Sequence, residues 1–263
     1  MSIYHYTTIK SLALILNSKK IRFTRLDLLD DLSEIDGLTD EFKTLFYVSC
    51  WTEDSEENIS LWSLYTDMKG IRLEFPNYFF QSHYIEKGDY GYWGYTKDFI
   101  SPLPIEKIRT DDYFIGNLTG EQDSFYVQVN YTSNHTKLKT KSITTINDQT
   151  QVTPICNLLR FKHPIWKFQN ESRFFLMSVP LPPLQSFNGD RIEQMKSYQG
   201  IGLSNEHKFI DVDIDTAILN NIIVRLHPNC DYADKLIVES LLKMYSSNGE
   251  MENSNLDGIF RSK

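Results

Sequence analysis

The sequence predicts one α+β domain, a twisted mixed β-sheet flanked by short helices. Three observations carry this. Short β-rich runs recur along the whole chain, with only a few segments of helical period between them. The 263 residues hold no internal repeat and no Pro-, Gly- or Ser-rich linker that would mark a boundary, so residues 1–263 read as a single unit. Rings are abundant: 15 Tyr, 16 Phe and 4 Trp, enough for aromatic packing to dominate the core.

The elements follow in order. Ile3-Tyr4-His5-Tyr6 alternates as a strand, and Thr7 or Thr8 offers an N-cap. Ile9, Leu12, Ala13 and Leu16 fall on one helical face, and Ile21–Thr24 reads as a second strand. Residues 25–44 are acidic and punctuated, a loop with a helical turn. Leu45–Trp51 is a near-continuous apolar run, as in a central strand. A short helix is expected over Ile59–Tyr65, a strand over Gly70–Phe75, and a short aromatic helix from Pro76 to His83. Residues 84–122 suggest no single assignment. A strand is expected at Ser124–Tyr131, a mobile loop or hairpin at 132–150, and a helix over 154–162. Arg173–Val179 is a strongly apolar strand, followed by a loop from Pro180 to Asp190. Strands are then expected at Gly200–Ser204, Phe209–Asp213 and Asn221–Leu226. An amphipathic helix spans Tyr232–Tyr245, and Ile259-Phe260 reads as a final strand.

Net charge is −8, which disfavours generic binding to phosphate backbones. The charge is uneven. Arg25 to Glu57 holds eleven acids and two bases, whereas Lys137 to Arg173 holds seven bases and two acids. An anionic ligand such as a pyrophosphate is therefore expected on the second stretch. Three scattered cysteines without a CxxC pair read as reduced thiols, hence an expected cytoplasmic location. No signal peptide or long apolar run is evident, so no membrane partner is expected.

P-loop, GxSxG, HExxH and GxGxxG patterns are absent. Asp27, Asp30, Asp31 and Glu34 put carboxylates about one helical turn apart, the raw material of a metal-dependent nuclease, although such acidic faces are usually just solvated. Cys50 inside an apolar strand reads as an inert buried thiol.

Four segments together resemble the bacterial domain of unknown function 2971 family. They are Tyr4-His5-Tyr6-Thr7 with Ile21-Arg22-Phe23-Thr24, then Leu29-Asp30-Asp31-Leu32-Ser33-Glu34, then Val48–Glu53 with Leu61–Tyr65 and Gly70–Phe75, and Trp166–Arg173. The second departs from the family's Asn-Asp-Pro-x-Glu, lacking its Asn and Pro. More distantly, a His-Tyr-Thr strand followed by a helix and a second strand resembles the opening of ADP-ribosyltransferases of the His-Tyr-Glu type. That resemblance implies NAD as substrate, consumed by an enzyme of the toxin or phage-defence kind, with an unknown acceptor, protein or nucleic acid. It implies that His5, with Tyr6 and Thr7, holds the adenosine ribose, that Trp62 or Tyr65 stacks on nicotinamide, and that Glu171 is the catalytic carboxylate. Arg173 would steer Glu171 or contact the pyrophosphate. A carboxylate beside the ribose stabilises the oxocarbenium-like state in which the nicotinamide bond breaks. A strand carrying Glu171 near the surface would keep its fold on Glu171→Gln. The bland alternatives stay open: a core His5, a structural Glu171–Arg173 ion pair, and Trp62 and Tyr65 as packing. On the same scaffold the chain could also be a silent nucleotide-binding or sensor module.

Overall fold

The computed structural model describes residues 1–31, 34, 38–66, 68–89, 94–121, 124–139, 143–146, 149–152, 154–180 and 204–259. The chain is α+β. Ten strands among the described residues join one mixed sheet. They are β1 Ser2–Thr7, β2 Lys20–Arg25, β3 Phe46–Thr52, β4 Ile71–Pro76, β5 Tyr113–Ile115, β6 Tyr126–Gln128, β7 Glu171–Pro180, β8 Phe209–Asp213, β9 Ile223–Leu226 and β10 Glu250–Glu252. The main path runs β6-β7-β3-β1-β4-β9-β10, with β5 on β7 and a branch β8-β2 on β3. The β9–β10 pair is parallel.

Helix α1, Ile9–Ser18, starts where Thr8 accepts a hydrogen bond from the Ser11 N–H. It ends at Lys19 in the left-handed region, φ 56°. Its apolar face, Leu12, Ile15 and Leu16, is buried against one face of the sheet. Helix α3, Tyr232–Tyr245, is capped by Asp231 and packs beside α1 through Val238 and Leu242. Both helices contribute to the main core. Trp51, Phe75, Phe79, Phe80 and Phe174 form an aromatic cluster there, with Phe79 and Phe80 stacked at 4.2 Å. The opposite face carries two smaller clusters, one around Phe46, Val48 and Phe175, the other around Tyr6, Leu61 and Trp62.

Several expectations change. The stretch after Pro76 is not helical, because Phe79 and Phe80 are drawn into the core and Phe80 bridges Ile214. The helix expected over 154–162 shrinks to Ile155–Leu158. Phe161–Lys162 instead pairs with Asn130–Tyr131, which also breaks the strand expected over Ser124–Tyr131. Within 132–150 the hairpin form holds: Ile143–Ile146 pairs with Gln149–Val152. The last strand among the described residues is β10, since parallel pairing beside β9 captures Glu250–Glu252. Ile259 lies exposed in a turn, and Phe260 is outside the described residues. Residues 181–203, which include the loop after Pro180 and most of the Gly200–Ser204 strand, are also outside them. Among the described residues no helix is long and apolar enough to cross a membrane.

Candidate functional site

β1 and β2 both lie along the same edge of β3, and they part. β1 meets β3 only at Tyr4↔Thr52, whereas β2 meets it at Thr24↔Val48 and Arg25↔Tyr47. Between those contacts the edge of β3 from Ser49 to Trp51 is left without a strand partner, and a cleft of about 270 Å³ opens over this fork. Tyr4, Tyr6, Thr24 and Glu171 line it from the strands, Tyr65 and Leu61 from helix α2 (Ile59–Thr66), and Asp30 from the loop after β2.

His5 stands in the fork itself. Its Nδ1–H donates to the Cys50 carbonyl at 2.9 Å, doing what a backbone N–H of β1 would do if the ladder continued. Burial lowers the pKa, and the Cys50 bond offsets this only in part. The ring is therefore neutral near pH 7, with Nδ1 as donor and Nε2 left as acceptor. One face of it lies 5.0 Å from the Trp51 ring.

Helix α2 is positioned by Asn58. Its side chain accepts from the Ser60 and Leu61 N–H groups, its own N–H donates to Tyr6, and its amide donates to the Phe168 carbonyl. This ties β1, α2 and the turn Pro164–Gln169 into one frame and sets Tyr65 over the cleft. The Tyr65 hydroxyl accepts from Gln169 Nε2 at 2.5 Å and hydrogen-bonds Asp30. Burial first, and Asp30 second, pushes this phenol well above its usual range.

Glu171 reaches the cleft from the first position of β7, where its N–H donates to the Tyr131 hydroxyl. Its carboxylate accepts from Arg173 Nε at 2.5 Å and from Lys162 Nζ at 3.0 Å. Arg173 also pairs with Glu34, and Lys162 lies 3.8 Å from the same Glu34. Four charges thus sit together with side chains at most 6% exposed. Burial alone would raise the Glu171 pKa, but Arg173 and Lys162 together outweigh it and lower the value to about 2. Burial raises Glu34, against the same two cations. The Cys50 thiol, pushed up by burial, also hydrogen-bonds Glu171.

Of the sequence-selected residues, His5, Tyr6, Tyr65 and Glu171 line one cleft. The other three do not. Trp62 is 1% exposed, packed edge-on against Tyr6 and His227, and donates to Glu57. Thr7 is buried at the end of β1. Arg173 is fully buried behind Glu171, so it steers the carboxylate and has no access to a pyrophosphate.

The register brings a further correction. Tyr4, Thr52 and Glu171 are directly opposed, so they share a face, and His5, next to Tyr4, projects to the other. The two groups approach the cleft from opposite sides of the sheet, meeting only because the fork opens it. Nor is Lys162, the base of that stretch which lines the cleft, free to receive an anion there, since it is already paired with Glu171. Arg22 at the rim is shared with Asp211. Among the described residues, no three His, Cys, Asp or Glu side chains are grouped to hold an ion. Glu34 turns inward to Arg173 instead.

Sequence reasoning passed over Tyr4, Lys162 and Gln169. Two of them carried a signal: Tyr4 shares period two with Tyr6, and Gln169 stands two residues from Glu171. No family model, curated protein or solved structure matches the chain.

Proposed function

We propose that the fork cleft is a nucleotide-binding site on an ADP-ribosyltransferase-like scaffold, with NAD as the candidate ligand. The observation that carries this is the meeting of His5, Tyr6, Tyr65 and Glu171, drawn from three distant segments, around one cleft. The neutral His5 offers an acceptor suited to a ribose hydroxyl, and the tyrosines offer walls for a flat ring. At about 270 Å³ the space is slightly below the roughly 300–1,000 Å³ of sites that enclose a drug-sized ligand, so it suits one half of a dinucleotide.

Binding without cleavage is the activity the side chains favour. The Glu171 carboxylate is committed to Arg173, Lys162 and Cys50, and it faces away from His5. Cleavage of NAD with transfer to a protein or nucleic-acid acceptor is the second reading. It is favoured by Glu171 being ionised and reaching the cleft, as stabilising an oxocarbenium-like state requires.

Thermal melts with NAD, ADP-ribose and nicotinamide, run beside an assay of nicotinamide release, test both. Ligand at 100 times its Kd stabilises by about 2.7 kcal/mol. At 2–4 °C per kcal/mol that is roughly 5–10 °C. A shift with NAD and no nicotinamide released fits a binding module, and release at a steady rate moves the assignment to the transferase. No shift with any of the three ligands removes the nucleotide site altogether.

A further inference from the structure

A second and larger cleft, about 750 Å³, lies apart from the fork. Its volume is within the usual range for an enclosed small ligand. Its wall is aromatic. Phe125, Tyr126 and Phe174 meet there, with ring centroids 5.3 Å apart for Phe125–Phe174 and 4.9 Å for Tyr126–Phe174. Phe99 closes one side, and Gly120, at φ 81°, crosses over it. A Cβ at that glycine would stand 2.4 Å from the Phe99 Cβ, so only glycine lets the chain pass this close.

Three charged side chains line this space, and two are already satisfied. Both Glu53 oxygens accept hydrogen bonds, one from the Tyr126 hydroxyl and one from Gln128 Nε2. Glu121 is ion-paired with Lys97. Arg160 is different. Its backbone carbonyl accepts from the Asn130 N–H, which fixes its position; its side chain is half-buried, and among the described residues no carboxylate pairs with its guanidinium. A half-buried guanidinium at a cleft wall, with no carboxylate bonded to it among the described residues, is the group there that a ligand anion would pair with.

We infer that this cleft is a binding site for a small aromatic monoanion, an aryl carboxylate, with Arg160 gripping the carboxylate and the half-buried Tyr126 ring, backed by the buried Phe125 and Phe174, holding the body. A planar guanidinium matches a carboxylate in two parallel hydrogen bonds. A dianionic phosphate fits less well, because the Glu53 carboxyl group lines the same cleft. Arg160 and these rings are no part of the fork, so the site stands or falls independently of nucleotide binding.

The test uses 2-naphthoate and its neutral counterpart 2-naphthalenemethanol, titrated against the full chain by calorimetry. The carboxylate is expected to bind, and the alcohol to bind about ten-fold or more weakly, as befits a lost charge-assisted hydrogen bond. Arg160→Gln should remove that preference and Arg160→Lys should retain part of it, with circular dichroism confirming that both fold. Should the Gln variant fail to fold, the comparison of the two probes on the unmodified chain still decides. Equal affinity for acid and alcohol, no binding of either, or an unchanged carboxylate affinity in a folded Arg160→Gln variant each overturns the assignment.

Discussion

Replacing Glu171 by Gln should cost the fold far more than the surface position suggested by sequence alone. The side chain is about 5% exposed and lies between Arg173 and Lys162, with Glu34 as the second anion. In the wild type two carboxylates balance two cations. Glu171→Gln leaves two cations against one anion in a buried site, and sets an amide donor against N–H donors that need acceptors. Removing one partner of a buried pair costs about 3–5 kcal/mol. That is a large share of a total stability on the order of 5–15 kcal/mol. At about 2–4 °C per kcal/mol the melting temperature should fall by roughly 6–20 °C. The second variant, Glu171→Gln with Lys162→Met, restores the balance of one anion to one cation, and should recover at least half of the loss. Thermal melts by circular dichroism and urea titrations on wild type, the single and the double variant measure this. A single variant melting within about 2 °C of wild type, or a double variant no more stable than the single, would refute the view that charge balance holds this site together.

Acid should act through the same carboxylate. The Glu171 pKa in the fold, about 2, lies below its ordinary value of 4.5, so its stabilising share is complete above pH 4.5 and is lost as pH falls toward 2. Glu171→Gln should flatten the melting-temperature profile in that window. His227, 2% exposed against Trp62, is held neutral by burial with a pKa of about 4, so stability should decline from pH 6.5 to 4. His227→Phe should lessen that slope, and an unchanged profile would count against it. Trp62→Phe should lower stability by about 1–3 kcal/mol in urea titrations and leave any NAD affinity unaltered, because the ring packs in the interior. Lost affinity with unchanged stability would make it the ring platform after all. Gly70→Ala sets a Cβ 2.2 Å from the Thr7 carbonyl oxygen and 2.6 Å from the Thr66 Cβ. The same titrations should show a loss of about 1–3 kcal/mol as β1 and α2 are pushed apart.

The elements most legible in the sequence were those whose signals are local. Helix α3 announces itself through an apolar stripe behind a capping Asp231, and the β1-α1-β2 opening through alternation, Thr8 and a helical face. His5 and Tyr6 were picked out by local motif, Glu171 by the order of elements and Tyr65 by its place after the central strand, and the four do share a cleft. What decides their chemistry was not local. Whether Glu171 and His5 share a face depends on the register of three strands, and a one-residue slip reverses it. Glu34 pairs with Arg173 across 139 residues, and nothing near either one advertises the other. Phe79 and Phe80 fit a helix by composition, but stacking against distant rings overrides that preference.

The fork owes its opening to main chain. Most ligand pockets take their outline from side chains, so a substitution in the lining redraws the hole. Here the outline comes from two strands leaving a third, and their departure is fixed by pairings outside the gap, β1 to β4 over six residues and β2 to β8 over five. Tyr65, Asp30 and Leu61 line the cleft from α2 and the loop after β2, outside those pairings. Substitutions on these positions should therefore change what the cleft selects while its width stays the same. For recognition this separates two properties that usually vary together: the aperture can be inherited unchanged while the chemistry at its lip drifts.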